Sequence, residues 1–151
     1  MSGHGAGQAS LTRRVIFAAA HRYYRPDWDA ARNEAVFGAC ARPHFHGHTY
    51  VCDVTVQGAI DGETGMVVDL GLLDRTLERE VVAKLDHRNI NVDVPEFADG
   101  KLVPTGENLA RFVSERVQAA LGDRVVVSEV RVAEDDRLWS TWRPATPRQT
   151  G

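Results

Sequence analysis

The stretch HGHTYVCDVTVQ, residues 46–57, alternates two kinds of side chain with a period of two. On an extended chain His46, His48, Tyr50, Cys52, Val54 and Val56 share one face, and Thr49, Asp53, Thr55 and Gln57 share the other. The pattern predicts a strand with one buried and one wetter face, and puts two histidines on the buried side. Upstream, Arg14 to His21 reads as a strand whose positions Phe17, Ala19 and His21 share a phase. Between them, Arg22 to Phe45 reads as a long loop, of the kind that is functional or disordered in a compact domain.

Downstream, AIDGETG at 59–65 holds an Asp-Gly pair and predicts a hairpin turn, with Met66 to Asp69 as the return strand. Leu70 to Leu85 reads as a helix, with Leu73, Leu77, Val81 and Leu85 recurring every four residues. A second loop spans Asp86 to Pro104. Thr105 then caps a helix that runs to Leu121 and stops at Gly122. Val125 to Glu134 and Leu138 to Trp142 are the last strands, with Glu134 continuing the inward phase of Ser128, Val130 and Val132. The order implies an α+β fold, an antiparallel β-sheet with two helices packed on one face. Its open edges favour an oligomer.

At 151 residues, with 43% hydrophobic and 26% charged, the chain has the composition of one soluble domain. The expected division is a flexible tail at 1–10, where His4 is solvated and idle, one domain at 11–143 and a second tail at 144–151. A net charge of −3 gives no basic footprint for nucleic acid. No apolar run reaches the roughly 18 residues of a membrane span. The opening residues lack the order of a signal peptide. Two cysteines, Cys40 and Cys52, make no disulfide framework, so a cytoplasmic location is expected.

His46 and His48 point the same way, and His21 shares the inward phase of its own strand. Three neutral imidazoles suit Zn2+ and leave a fourth position for water or substrate. The ordinary alternative is a set of surface histidines in a loop. His44 shares the alternation and is a rival ligand. Cys52 reads as a buried small hydrophobe, whereas Cys40 sits in a polar loop and reads as a fourth zinc ligand or a proton-transfer group. Asp86 and His87 either finish a helix or take part in chemistry. Glu134 either caps the sheet or grips neighbouring N–H donors. Thr105 to Asn108 either caps a helix or presents polar groups to a ligand.

These pieces resemble the family of 6-pyruvoyl-tetrahydropterin and 6-carboxytetrahydropterin synthases. The resemblance rests on FAAAHR (17–22), FGAC (37–40), HGHTY (46–50), GMVVDL (65–70), LDHRNIN (85–91), VPEFAD (94–99), PTGENLA (104–110) and VRVAEDD (130–136). It implies the tunnelling fold, zinc on His21, His46 and His48, and a proton-transfer triad of Cys40, Asp86 and His87. It also implies a pterin anchor at Glu134, aided by Thr105 and Glu107, and a homohexamer with active sites between subunits. The implied substrate is 7,8-dihydroneopterin triphosphate, and the implied activity is that of a lyase releasing triphosphate. Cys40 lies six residues before His46, as in the pyruvoyl branch. The alternatives are the carboxy branch on the route to queuosine, a tunnelling-fold aldolase or epimerase lacking the zinc histidines, and a non-catalytic zinc- or pterin-binding module. His44-Phe45 departs from the family pattern, where smaller or amide residues are usual.

Overall fold

The computed structural model describes residues 7–145. Strand β1 (Gln8–His21) and strand β2 (His46–Ala59) pair antiparallel over their full lengths, from Gln8 opposite Ala59 to His21 opposite His46. Strand β1 therefore begins inside the segment expected as a tail, because Gln8, Ala9 and Ser10 find ladder partners in Ala59, Gly58 and Gln57. Residues 1–6 of that segment, with His4, and residues 146–151 of the expected C-terminal tail lie outside the described residues.

The sheet has five strands in the order β3-β1-β2-β4-β5, where β3 is Arg88–Asn89, β4 is Val126–Ala133 and β5 is Trp139–Trp142. It is mixed rather than wholly antiparallel, since β3 runs parallel to the end of β1. The expected return strand at 66–69 is absent. Asp61 accepts the N–H groups of Glu63 and Thr64 and bonds Met66 through its own N–H, which closes the turn. Both edges of β2 are already taken, by β1 and β4, so a return strand has no ladder to join. The chain passes instead to Asp69, whose carboxylate caps helix α2 (Leu70–Leu77) through the N–H of Leu72.

Helix α2 continues through a π turn at Glu78–Val82 into α3 (Ala83–Leu85). A strict four-residue spacing drifts around a helix of 3.6 residues per turn, and the wider π turn takes up the drift. Leu73, Leu77, Val81 and Leu85 are accordingly all buried on one stripe. They pack with Leu109, Val113, Val117 and Leu121 of α5 (Gly106–Leu121) against the inward face of the sheet, where the rings of Phe17 and Tyr50 stack at 4.9 Å. The Thr105 hydroxyl accepts the N–H of Asn108, and Gly122 ends α5 with φ +63°.

Two expected loops contain structure. Helix α1 (Ala30–Phe37) and a 3-10 turn at Gly38–Ala41 occupy 22–45. The short β3, helix α4 (Ile90–Asp93) and a 3-10 turn at Pro95–Phe97 occupy 86–104. The register of β4 shifts opposite Thr55 and Val56, so Val127 rather than Ser128 faces the core. Among the described residues no helix is long and apolar enough to cross a membrane.

The Gln118 side chain ties the end of α5 to the start of β4, donating to the carbonyls of Gly122 and Val125 and accepting the N–H of Val127. Gln118→Ala removes all three bonds and leaves the buried Val127 N–H without its partner. The expected loss is about 1–3 kcal/mol of stability, read from the urea unfolding midpoint.

Candidate metal centre and the cavity beside it

Inward phase and register together bring three imidazoles to one end of the sheet. His21 closes β1 opposite His46, the first residue of β2, and His48 lies two residues on along the same face. Ring centroids are 4.6 Å apart for His21 and His46, and 5.1 Å for His21–His48 and His46–His48. One nitrogen from each lies within 4.8 Å of the others. His44 is exposed and stands outside this trio.

The trio has the properties a divalent cation requires. His21 is fully buried, and its Nδ1 lies 2.8 Å from the carbonyl oxygen of Pro104. A carbonyl only accepts, so Nδ1 carries the proton and Nε2 keeps its lone pair. Burial, together with His46 and His48, pushes the His21 pKa down to about 4, against the bond to Pro104. Burial and His48 push His46 down as well. The Nε2 atom of His48 is buried with no hydrogen-bond partner. An unpartnered buried nitrogen beside two imidazoles held neutral is a donor set that fits zinc.

Glu134, just past β4, faces the trio. Its Oε2 is 3.6 Å from His48 Nε2, and its Oε1 is 3.9 Å from His21 Nε2. The hydroxyl of Tyr23 donates to Oε1 at 2.9 Å. Glu134, Tyr23, Thr105, Gly106 and Glu107 line a cavity of about 330 Å³. Thr105 is thus both the cap of α5 and part of the cavity wall. A Cβ on Gly106 would come within 2.6 Å of Ser140 Oγ, so this glycine lets α5 approach β5 at that wall.

Cys40 sits on the 3-10 turn after α1, where its carbonyl accepts the N–H of Tyr23 at 2.8 Å. Burial, then the charge of Glu134, pushes its thiol pKa up. Asp86 and His87 lie elsewhere. Asp86 Oδ1 accepts the N–H of Ala18 at 2.9 Å, and its Oδ2 is 2.8 Å from Nδ1 of His87. The Ala18 N–H, then His87, holds the Asp86 carboxyl below the usual carboxylate range. His87 has φ +57° and a largely exposed ring. It opens on a groove of about 570 Å³ that His48 also lines. Among the described residues no hydrogen bond or ion pair joins Cys40 to Asp86 or His87. Tyr23, Tyr50 and the Pro104 carbonyl also belong to the site; Tyr23 lies outside every quoted motif, and Tyr50 and Pro104 sit in HGHTY and PTGENLA without a role read for them. The one signal was phase, since Tyr50 follows His46 and His48 on their face and its hydroxyl lies 3.0 Å from His21 Nδ1.

Residues 10–145 match the family model described as 6-pyruvoyl tetrahydropterin synthase. A human protein named 6-pyruvoyl tetrahydrobiopterin synthase is 41% identical over 139 residues, covering 90% of this chain and 94% of its own length. A Drosophila melanogaster protein of the same name is 37% identical over 139 residues, covering 92% of this chain and 82% of its own. The solved structure of Caenorhabditis elegans 6-pyruvoyl tetrahydropterin synthase superposes with a TM-score of 0.86 at 31% identity, over 92% of this chain and 97% of that one.

In the metal-free protein His21 is expected to stay neutral as the pH falls, protonating only near 4, whereas in the unfolded chain it protonates near 6.5. Between these values the unfolded state binds the extra proton. The His21 contribution to stability is therefore full above about 6.5 and declines as the pH falls toward 4, by roughly 3 kcal/mol. Titration of the imidazole resonances by NMR, beside urea melts across that window, checks both the value and the sign.

Proposed function

Because the chain belongs to the 6-pyruvoyl tetrahydropterin synthase family, we propose that it is a zinc-dependent lyase that converts 7,8-dihydroneopterin triphosphate to 6-pyruvoyl-tetrahydropterin with loss of triphosphate. The observation that carries the metal is the convergence of His21, His46 and His48, with His48 Nε2 buried and unpartnered. These three residues hold the zinc. When bound it supplies a Lewis acid that makes protons beside the substrate's side-chain hydroxyls and carbonyl easier to remove.

The remaining work falls to the chain's own groups. Glu134 accepts the paired N–H donors of the pterin ring, in a cavity whose wall includes Thr105 and Glu107. Cys40 takes and returns protons as the thiolate. Its raised pKa in the metal-free chain means that this form depends on a cation nearby. His87 is the partner acid and base, and Asp86 orients it through Oδ2 and Nδ1 while staying anchored to the backbone of β1. Since no hydrogen bond or ion pair among the described residues links Cys40 to His87, the proposed triad is completed across a subunit boundary in a homohexamer. The Cys40 to His46 spacing and the names of the relatives favour the pyruvoyl product over the carboxy product.

Zinc-loaded protein incubated with 7,8-dihydroneopterin triphosphate is expected to give the pyruvoyl product and free triphosphate by mass spectrometry. A carboxy product with acetaldehyde would move the chain to the deazapurine branch. Substituting His46→Ala is expected to abolish zinc binding and turnover together. Full zinc occupancy of that variant by metal analysis would contradict the ligand set.

A further inference from the structure

Glu134 faces two competing uses. Its carboxylate lines the cavity offered to the organic ligand, and the same carboxylate lies 3.6 and 3.9 Å from ring nitrogens of His48 and His21. Two ligands of one tetrahedral zinc, each about 2 Å from the ion, stand roughly 3.4 Å apart. Glu134 is therefore within a small side-chain rotation of becoming a fourth ligand, and carboxylates bind zinc well. That rotation would fill the position a catalytic site keeps open and would take the carboxylate away from the cavity.

Among the described residues Tyr23 is the only hydrogen-bond donor that reaches the Glu134 carboxylate, at 2.9 Å on Oε1. Tyr23 is itself well held. Its N–H donates to the Cys40 carbonyl, and its ring packs edge-on against His21 at 5.1 Å and Phe37 at 5.9 Å. The hydroxyl is thus a fixed post on the segment that carries the first histidine. The Glu134 backbone is fixed too, by its bond to Leu138, which leaves only side-chain torsions to decide where the carboxylate goes.

We propose that Tyr23 is a positioning residue whose hydroxyl tethers Glu134, keeping the carboxylate a ligand-binding group and out of the coordination sphere of a metal on His21, His46 and His48. The inference rests on the metal reading above and adds to it the residue that keeps the fourth position open. Removing the hydroxyl alone, in Tyr23→Phe, retains the ring contacts with His21 and Phe37.

The test uses cobalt(II) in place of zinc in the full-length protein, so that coordination is read from the visible spectrum without turnover. Wild type is compared with Tyr23→Phe, Glu134→Gln and the double variant. Tyr23→Phe is expected to hold cobalt roughly tenfold more tightly against a competing chelator and to show altered visible bands. Both changes are expected to vanish when Glu134 is also Gln. Neopterin binding to Tyr23→Phe is expected to weaken severalfold. Unchanged metal affinity and spectrum in Tyr23→Phe would overturn the tether, as would changes that persist in the double variant, since they would then come from the ring of His21. Wild type that takes up no cobalt would remove the metal reading itself. Wild type that binds cobalt, beside a Tyr23→Phe variant identical to it, would remove only the role of Tyr23.

Discussion

The hydrogen-bonded register between β1 and β2 puts His21 opposite His46, and almost everything else at this end of the molecule depends on it. A slip of one residue along either strand would turn its inward side chains to the opposite face. The histidine trio would then be broken, and so would the Phe17–Tyr50 stack four residues back on β1. Site and core thus share one constraint. The inward faces that bury Val54 and Val56 deep in the sheet carry imidazoles where the strands run out of apolar partners. The apolar part of the ladder specifies the register, and the polar end makes use of it.

Burial then sets the chemistry of those imidazoles. Desolvation disfavours the imidazolium form, so His21 and His46 are held as neutral bases. The same desolvation works against Cys40, whose thiol is made less acidic, with Glu134 adding to the effect. Desolvation at this end of the sheet therefore keeps the His21 and His46 imidazoles available as bases and makes the Cys40 thiol less acidic. A buried nitrogen with no partner, as at His48, is a cost that a metal would offset. The buried hydroxyl of Tyr50 and the carbonyl of Pro104 fix how His21 presents itself.

Where a periodic pattern met a matching element, the sequence was readable. The alternation at 46–57 located β2 and the inward histidines, and Thr105 and Gly122 bounded α5 within a residue. The four-residue spacing from Leu73 to Leu85 located the helix but not its π turn, which is the geometric consequence of that spacing. Helix α1 was not legible because its only buried residue is polar. Asn33 bonds the carbonyls of Arg25, Trp28 and Asp29 and the N–H of Arg25, organising the segment without an apolar stripe. The missing return strand and the bulge at Ser128 both turn on what occupies the edge of β2, which no local window reports. Tyr23 was invisible for the same kind of reason. Its partner Glu134 is distant in the chain, and only the folded sheet brings the two together.

His87 presents a different problem. A left-handed backbone at a non-glycine residue costs about 1–2 kcal/mol. The chain accepts this at His87 while donating its N–H to Ala18 and lodging its ring nitrogen on Asp86. Asp86 is in turn bound to the N–H of Ala18. Three contacts therefore orient a ring that is left almost wholly in solvent. Such bracing serves no packing purpose in a side chain that touches no core. It becomes intelligible if the ring is a preoriented group offered to something outside the chain. In the proposed hexamer that recipient is the thiol and metal end of another copy, with β1 as the common frame. Its backbone at Ala18 holds Asp86 and His87 on one side, and three residues later it delivers His21 to the other.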